Sequence, residues 1–280
     1  AIPYYFIEAL AGLAVEAGAL FCNLSGNTEI VFNQKKLHEA AKAKGVSIIP
    51  DCGVAPGMVN ILAQYGISQF DAVDEVKIFV GGLPQFPEPP LNYQIVYSLE
   101  GVLDYYTTLS WVVRDGKRTQ VKALSELEMV PFPAPLGSLE AFHTAGGLST
   151  MAFRYEGKIP TMEYKTLRYP GHAAIMEAKG VSVSPRDVAV AVMEPRLTSA
   201  KPDMVALRVT VRGRDAGGVA GTRSWQLVDR FDEQRGISAM MRCTGYSLAI
   251  TGLFQGRGRI AAGVLTPDES MPAEAYIAEL

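Results

Sequence analysis

Residues 46–58 read Val46-Ser47-Ile48-Ile49-Pro50-Asp51-Cys52-Gly53-Val54-Ala55-Pro56-Gly57-Met58, and this run decides the fold. A short apolar stretch of buried-strand type leads into a helix opening near Met58, through a turn with a carboxylate and a thiol at its lip. Pro56 suits a first helical position, while Gly53 and Gly57 permit a tight turn and close backbone approach. A strand feeding a helix in this way puts residues 51–57 at the carboxyl end of a parallel strand, the edge where open α/β sheets hold ligands. Asp51 and Cys52 are therefore candidates for the floor of a cleft, weighed against an ordinary turn with a buried thiol.

Upstream, Phe6, Leu10, Leu13 and Ala17 recur at helical spacing and stop at Gly18, a helix-ending residue. Residues 19–24 form another apolar run, and 33–44 read as a helix ending at Gly45. Helix, strand, helix, strand, helix is the second half of a doubly wound sheet. Leu24-Ser25-Gly26-Asn27 follows its strand as residues 51–57 follow theirs. Ser25 and Asn27 are candidates to donate to a cofactor amide or ribose, although both are also routine turn and cap residues.

Downstream of Asp71 the pattern turns to strands. They are expected at 73–80, after which comes a Pro-rich loop at 81–90, and at 93–99. Residues 109–114 and 119–123 are expected to pair across Asp115-Gly116, a strong hairpin signal. Residues 150–167 alternate, and 204–213 with 222–232 make a further antiparallel pair. A long helix at 240–254 and a short one at 272–280 close the chain. The expected class is α/β: a partial doubly wound (Rossmann) region joined to an α+β region with a large, mainly antiparallel sheet.

The composition is that of an ordinary soluble protein of 280 residues, 48% hydrophobic and 20% charged, with a formal net charge of −3. Basic residues are dispersed, which argues against nucleic acid as a partner. Cys22, Cys52 and Cys243 lack CxxC spacing, so neither a disulfide framework nor a zinc site is expected, and a reducing cytoplasm fits. Glu8 and Glu16 interrupt the apolar N-terminal stretch, and no window reaches the roughly 18 apolar residues of a membrane span. The chain opens with Ala in mid-fold, and a preceding segment is expected.

A second chemical cluster is Lys165-Thr166-Leu167-Arg168-Tyr169-Pro170-Gly171-His172. Arg168 suits bidentate contact with a carboxylate, and His172 is the natural proton carrier by its ordinary pKa. His38 and His143 give no metal-ligand spacing with it. Gly256-Arg257-Gly258-Arg259-Ile260-Ala261 matches a dinucleotide fingerprint as a string, but too little chain follows it to build the strand–helix–strand unit that the motif opens.

Taken in order, DCGVAPGM at 51–58, GGLP at 81–84, PLNY at 90–93, YSLEGVLDYY at 97–106, LEAFHTAGG at 139–147, KTLRYPGH at 165–172, MMRCTGY at 240–246 and GVLTPDESMP at 263–272 give the chain a marked resemblance. It resembles the saccharopine dehydrogenase and lysine 6-dehydrogenase family. The resemblance implies that residues 1–70 are the second half of an NAD- or NADP-binding Rossmann domain whose Gly-rich turn precedes this sequence. It further implies a substrate-binding and dimerisation domain at 71–254, a return to the nucleotide domain at 255–280, and a homodimer or higher homo-oligomer.

The implied roles are Pro3, Ser25, Gly26, Asn27 and Gly53 toward the cofactor and Cys52 lining the nicotinamide pocket. Arg168, with Tyr93 and Tyr169, would hold the substrate carboxylate, Glu100 would hold an amine, and His172 or Asp51 would relay protons. Three departures from the family pattern stand out. Glu100 occupies a position that is commonly Arg in the saccharopine-forming reductases, Asn23 stands where Asp is usual, and the link from Gly171 to Pro185 is shortened. The expected activity is oxidative deamination of the lysine ε-amine. The alternatives are a reductase joining an aldehyde or keto acid to an amine, and a non-catalytic dimerisation and ligand-binding module.

Overall fold

The computed structural model describes residues 4–178 and 201–280, together with 193, 194 and 197. Its first half-sheet is small. Helix α1 (Ile7–Ala17) leads to β1 (Phe21–Cys22), then come α2 (Thr28–Lys35), α3 (His38–Ala43), β2 (Ser47–Ile49) and α4 (Met58–Ile67). β1 and β2 run parallel, with Phe21 opposite Ile48 and Cys22 opposite Ile49. The helix expected over 33–44 is two helices, and the first begins earlier, at Thr28. Asn27 sets that start, its side-chain oxygen accepting from the N–H groups of Glu29 and Ile30.

The larger unit contains β3 (Ala72–Pro84), α5 (Leu99–Thr107), β4 (Ser110–Arg114), β5 (Lys117–Val121), β6 (Glu128–Pro131), β7 (Ser138–His143), α6 (Met151–Arg154) and β8 (Thr161–Arg168). It continues through α7 (His172–Ala178), β9 (Asp203–Arg214), β10 (Ala220–Arg230) and α8 (Ala239–Gly256). The eight strands run in the order β10-β9-β3-β8-β4-β5, with β7 also beside β8 and β6 beside β7. β3 and β8 are parallel, while the remaining pairings are antiparallel. Asp115 and Gly116 both take positive φ, 48° and 74°, as a two-residue hairpin of matching twist requires. The chain then comes back to the small sheet, where β11 (Gly263–Val264) lies parallel to β2, before α9 (Pro267–Ser270) and α10 (Ala273–Glu279).

Two strand expectations fail. Residues 93–98 lead as loop into α5, because Ser98 caps the helix by accepting from the Gly101 N–H and Val102, Leu103 and Tyr106 are buried at helical spacing. Residues 151–154 form a helical turn before β8 begins. β3 itself runs four residues further than expected and holds Pro84 opposite Asp203.

Strand alternation gives the large sheet two cores. Val76, Ile78 and Val80 pack with Val205, Val209, Val211 and α4 on one face. Phe79, Leu83 and Leu167 pack with Val130, Phe132 and Leu139 on the other. Among the described residues, no helix is long and apolar enough to cross a membrane.

Candidate active site

Two cavities open where the carboxyl ends of β1 and β2 meet the large sheet. One, of about 280 Å³, is lined by residues 25–29, by Asp104 and Tyr105 of α5, and by Ser110, Trp111, Gln120, Gly146 and Ser149. The other, of about 160 Å³, is lined by residues 53–56 and by Tyr97, Tyr164, Thr166, Arg168 and Thr244. Gly26, Tyr105 and Ala145 belong to both walls.

Asp51 ties these walls together from behind. It is 1% exposed and accepts from the Gly26 N–H (2.8 Å) and the Ser149 hydroxyl (2.5 Å). Burial pushes its carboxyl up to about 6, against the pull of those two donors. A folded-state pKa above the ordinary 3.8 means that Asp51 contributes stability below that ordinary value, and the contribution is lost as pH rises through about 6. Asp51→Asn removes this dependence. Urea unfolding should therefore find the variant gaining on the parent by up to ~3 kcal/mol between pH 4 and pH 7.5. A difference independent of pH would contradict the assignment.

Cys52 does not line either cavity. It is fully buried, its thiol donates to the Ile49 carbonyl (3.1 Å), and burial raises its pKa well above the ordinary thiol value. The Gly53–Pro56 backbone forms the wall in its place. Asn23 spends its amide internally, donating to Gln34 (2.8 Å) and accepting from the Ser25 N–H (3.1 Å). Ser25, Gly26 and Asn27 line the larger cavity and Gly53 the smaller, with the Asn27 oxygen already engaged as the cap of α2. Pro3 lies outside the described residues.

The run 165–172 does not act as one cluster, because β8 alternates. Thr166 and Arg168 face the cavity. Lys165 points to the opposite face and donates to Glu128 and to the Glu126 carbonyl, both at 2.7 Å. Tyr169 also turns away, donating to the Pro84 carbonyl (3.0 Å).

Arg168 is 2% exposed. Its Nε donates to the Tyr106 hydroxyl (2.9 Å) and its Nη1 to the Leu167 carbonyl (2.8 Å), while its guanidinium lies 4.7 Å over the Tyr93 ring. Among the described residues no carboxylate lies within ion-pair distance of it. Tyr93 supports Arg168 from below, and its own buried hydroxyl has no hydrogen-bond partner among the described residues.

His172 is likewise removed from the cavities. It is 1% exposed and held between the Leu91 carbonyl and the Tyr106 hydroxyl, each at 3.1 Å. Burial, then the Arg168 charge, push its pKa down to about 3. It is neutral at neutral pH and has no path to either cavity.

Glu100 is exposed and lines neither cavity. The face of α5 that does so carries Gly101, Asp104, Tyr105 and Thr108, so the acid presented there is Asp104. The helical spacing from Gly101 is the signal that would have found it.

Glu126, His143 and Glu163 are the one grouping of metal-ligand composition among the described residues. Arg114 already sits among them, 2.9 Å from Glu126 and 2.5 Å from Glu163, and supplies the positive charge. The Gly256-Arg257-Gly258 string closes helix α8, and the shortened link beyond Ala178 falls outside the described residues.

A sequence model of the saccharopine dehydrogenase C-terminal domain matches residues 53–280. Among curated proteins, saccharopine dehydrogenase [NADP(+), L-glutamate-forming] of Pyricularia oryzae is 29% identical over 145 residues, 49% of this chain and 32% of its own length. The match thus spans about a third of that curated relative. The fold is similar to that of apo saccharopine dehydrogenase (L-Glu forming) from Saccharomyces cerevisiae, with a TM-score of 0.78 at 19% identity over 100% of this chain and 80% of that one. It is also similar to homospermidine synthase from Legionella pneumophila in complex with NAD, with a TM-score of 0.70 at 13% identity over 97% of this chain and 70% of that one.

Proposed function

This chain belongs to the saccharopine dehydrogenase C-terminal domain family, and from that premise we propose that it holds the substrate of a nicotinamide-dependent oxidoreductase acting on a carbon–nitrogen bond of an amino acid. Arg168 carries the reading. It is a buried cation at a cavity wall, boxed by phenols and without a carboxylate partner among the described residues. Such a charge calls for an opposite one, and a planar guanidinium matches a carboxylate. Glu29 and Asp104 line the adjoining cavity and suit the amine end of the same molecule. Lysine divides in this way, with its α-carboxylate remote from its ε-amine.

In oxidative deamination a proton leaves the ε-ammonium and hydride leaves the ε-carbon. The resulting imine takes up water, releasing ammonium and the semialdehyde, which cyclises. NAD or NADP, when bound, supplies the hydride acceptor. Ser25, Gly26, Asn27 and Gly53 stand at the strand ends where it would be held, and Ser149, Gln120 and Trp111 offer the polar donors and flat apolar wall that suit an amide-bearing ring. Asp51, with its pKa raised to about 6, accepts the proton through the Ser149 hydroxyl, while Arg168 keeps the carboxylate end in place. The roles first expected for His172, Glu100 and Cys52 pass to Asp51, Asp104 and the Gly53–Pro56 backbone.

A reductase that joins an aldehyde or keto acid to an amine is the second reading, favoured by two cavities that share one wall. A substrate panel on the full-length protein with both cofactors separates the two. Reduction of NAD or NADP by lysine alone is the expected result. Silence with lysine, combined with NADPH oxidation by an aldehyde plus an amine, would transfer the assignment to the second reading.

A further inference from the structure

We infer that Tyr106 and His172 are positioning residues for Arg168, through a one-way chain of hydrogen bonds that sets the orientation in which the guanidinium meets a substrate carboxylate. This inference rests on the reading of Arg168 as the carboxylate holder. The chain runs from Arg168 Nε to the Tyr106 oxygen (2.9 Å), from the Tyr106 hydroxyl to His172 Nε2 (3.1 Å), and from His172 Nδ1 to the Leu91 carbonyl (3.1 Å).

Each link admits one direction. A guanidinium only donates and a carbonyl only accepts, so the two ends are fixed. Nδ1 must carry the imidazole proton to satisfy Leu91. With the ring neutral, Nε2 is then an acceptor and takes the phenol hydrogen, leaving the phenol oxygen for the Arg168 N–H. Protonation of His172 would turn Nε2 into a donor facing the Tyr106 hydroxyl and break the sequence, and burial beside Arg168 opposes that protonation.

The rings holding this chain have little freedom to rotate. Tyr106 meets His172 edge-on at 5.8 Å and Phe142 edge-on at 5.7 Å. Phe142 stacks against His172 at 6.3 Å, and Tyr93 contacts His172 at 5.3 Å on one side while lying under the guanidinium on the other. Nε and Nη1 of Arg168 are thus engaged. Its remaining donors meet no backbone carbonyl or carboxylate among the described residues and are available to a ligand.

The test is steady-state kinetics of the full-length protein with its carboxylate-bearing substrate. Tyr106→Phe and His172→Leu are each expected to raise KM about tenfold with kcat within about twofold, since a charge-assisted contact is misaligned rather than removed. His172→Gln, which retains an acceptor toward the phenol, should recover most of the lost KM.

A fall in kcat at unchanged KM would overturn the inference, because it would put His172 or Tyr106 in the chemistry, and so would unchanged kinetics in folded variants. If Arg168→Met raises KM while the other two variants do not, the inference fails and the carboxylate reading stands. Unchanged KM in Arg168→Met removes that reading itself. Nitrogen NMR on the unsubstituted protein is independent of how well the variants fold. His172 is expected as the Nδ1–H tautomer at pH 7, and an Nε2–H or cationic ring would overturn the inference.

Discussion

Gly57→Ala is expected to destabilise the protein by about 3–5 kcal/mol and to lower the thermal midpoint by roughly 10 °C. Gly57 sits at φ 134°, ψ −97°, a region closed to residues with a Cβ. An added Cβ would lie 2.2 Å from the Gly53 oxygen, 2.6 Å from its nitrogen and 2.7 Å from the Asp51 oxygen. All three are backbone atoms, so no side chain can swing aside. The corner is also closed by hydrogen bonds, from Met58 N–H to Gly53 (2.8 Å) and from Gly57 N–H to Asn60 (2.6 Å). Asn60 in turn donates to the carbonyls of Gly147 and Leu148, both at 3.2 Å. Displacing Gly57 therefore disturbs Asp51 and the segment carrying Ser149 together. Gly12→Ala in α1, where a Cβ meets nothing within 4 Å, is the control and should leave the midpoint unchanged or raise it. A Gly57→Ala midpoint within about 2 °C of the parent would show that the corner tolerates the strain.

That corner was readable because its information is local: an apolar strand, a turn rich in Gly and Pro, and a helix. The Asp115-Gly116 hairpin and the long antiparallel pair of β9 and β10 were readable for the same reason. The site itself was read less well. The run 165–172 looks like one cluster in sequence, yet the period of two in β8 sends Lys165 and Tyr169 to the face opposite Arg168. Glu100 was chosen by comparison with relatives, whereas the period of α5 presents Asp104 and Tyr105 to the cavity. Both periods are present in the sequence, but using them requires knowing that 161–168 is a strand and that 99–107 is a helix. Ser98, as a cap, is the only local sign of the latter. The aromatic wall was beyond local reading altogether. Tyr164 reaches the cavity because β8 lies beside β3, with Tyr164 opposite Ile78, and no neighbouring residue encodes that pairing. His172 misled for a different reason: its ordinary pKa suits proton transfer, but burial beside a cation removes that capacity.

Arg168→Met is expected to lower kcat/KM for a carboxylate-bearing substrate by about 10²–10³-fold, the ~3–4 kcal/mol lost when one partner of a buried, hydrogen-bonded charge pair is removed. Most of the loss should fall on KM, because Arg168 holds the end of the substrate remote from the reacting carbon and so binds ground state and transition state nearly alike. Stability should move the other way or not at all. A guanidinium buried among Tyr93, Tyr97, Tyr106 and Tyr164 without a carboxylate carries a desolvation penalty that methionine lacks. That relief is set against one orphaned phenol contact at Tyr106. The urea midpoint should therefore be equal to or above that of the parent while binding collapses, which separates loss of a ligand contact from loss of the fold. Arg168→Lys should rescue little of the affinity. A single ammonium cannot donate to Tyr106 and the Leu167 carbonyl and still present a planar pair of donors to a carboxylate. Removing the carboxylate from the substrate should reproduce the defect in the parent protein and add almost nothing in Arg168→Met, a double-mutant cycle in which the ligand is one of the mutants. Additive losses would place the carboxylate elsewhere in the cleft and leave Arg168 as a structural cation.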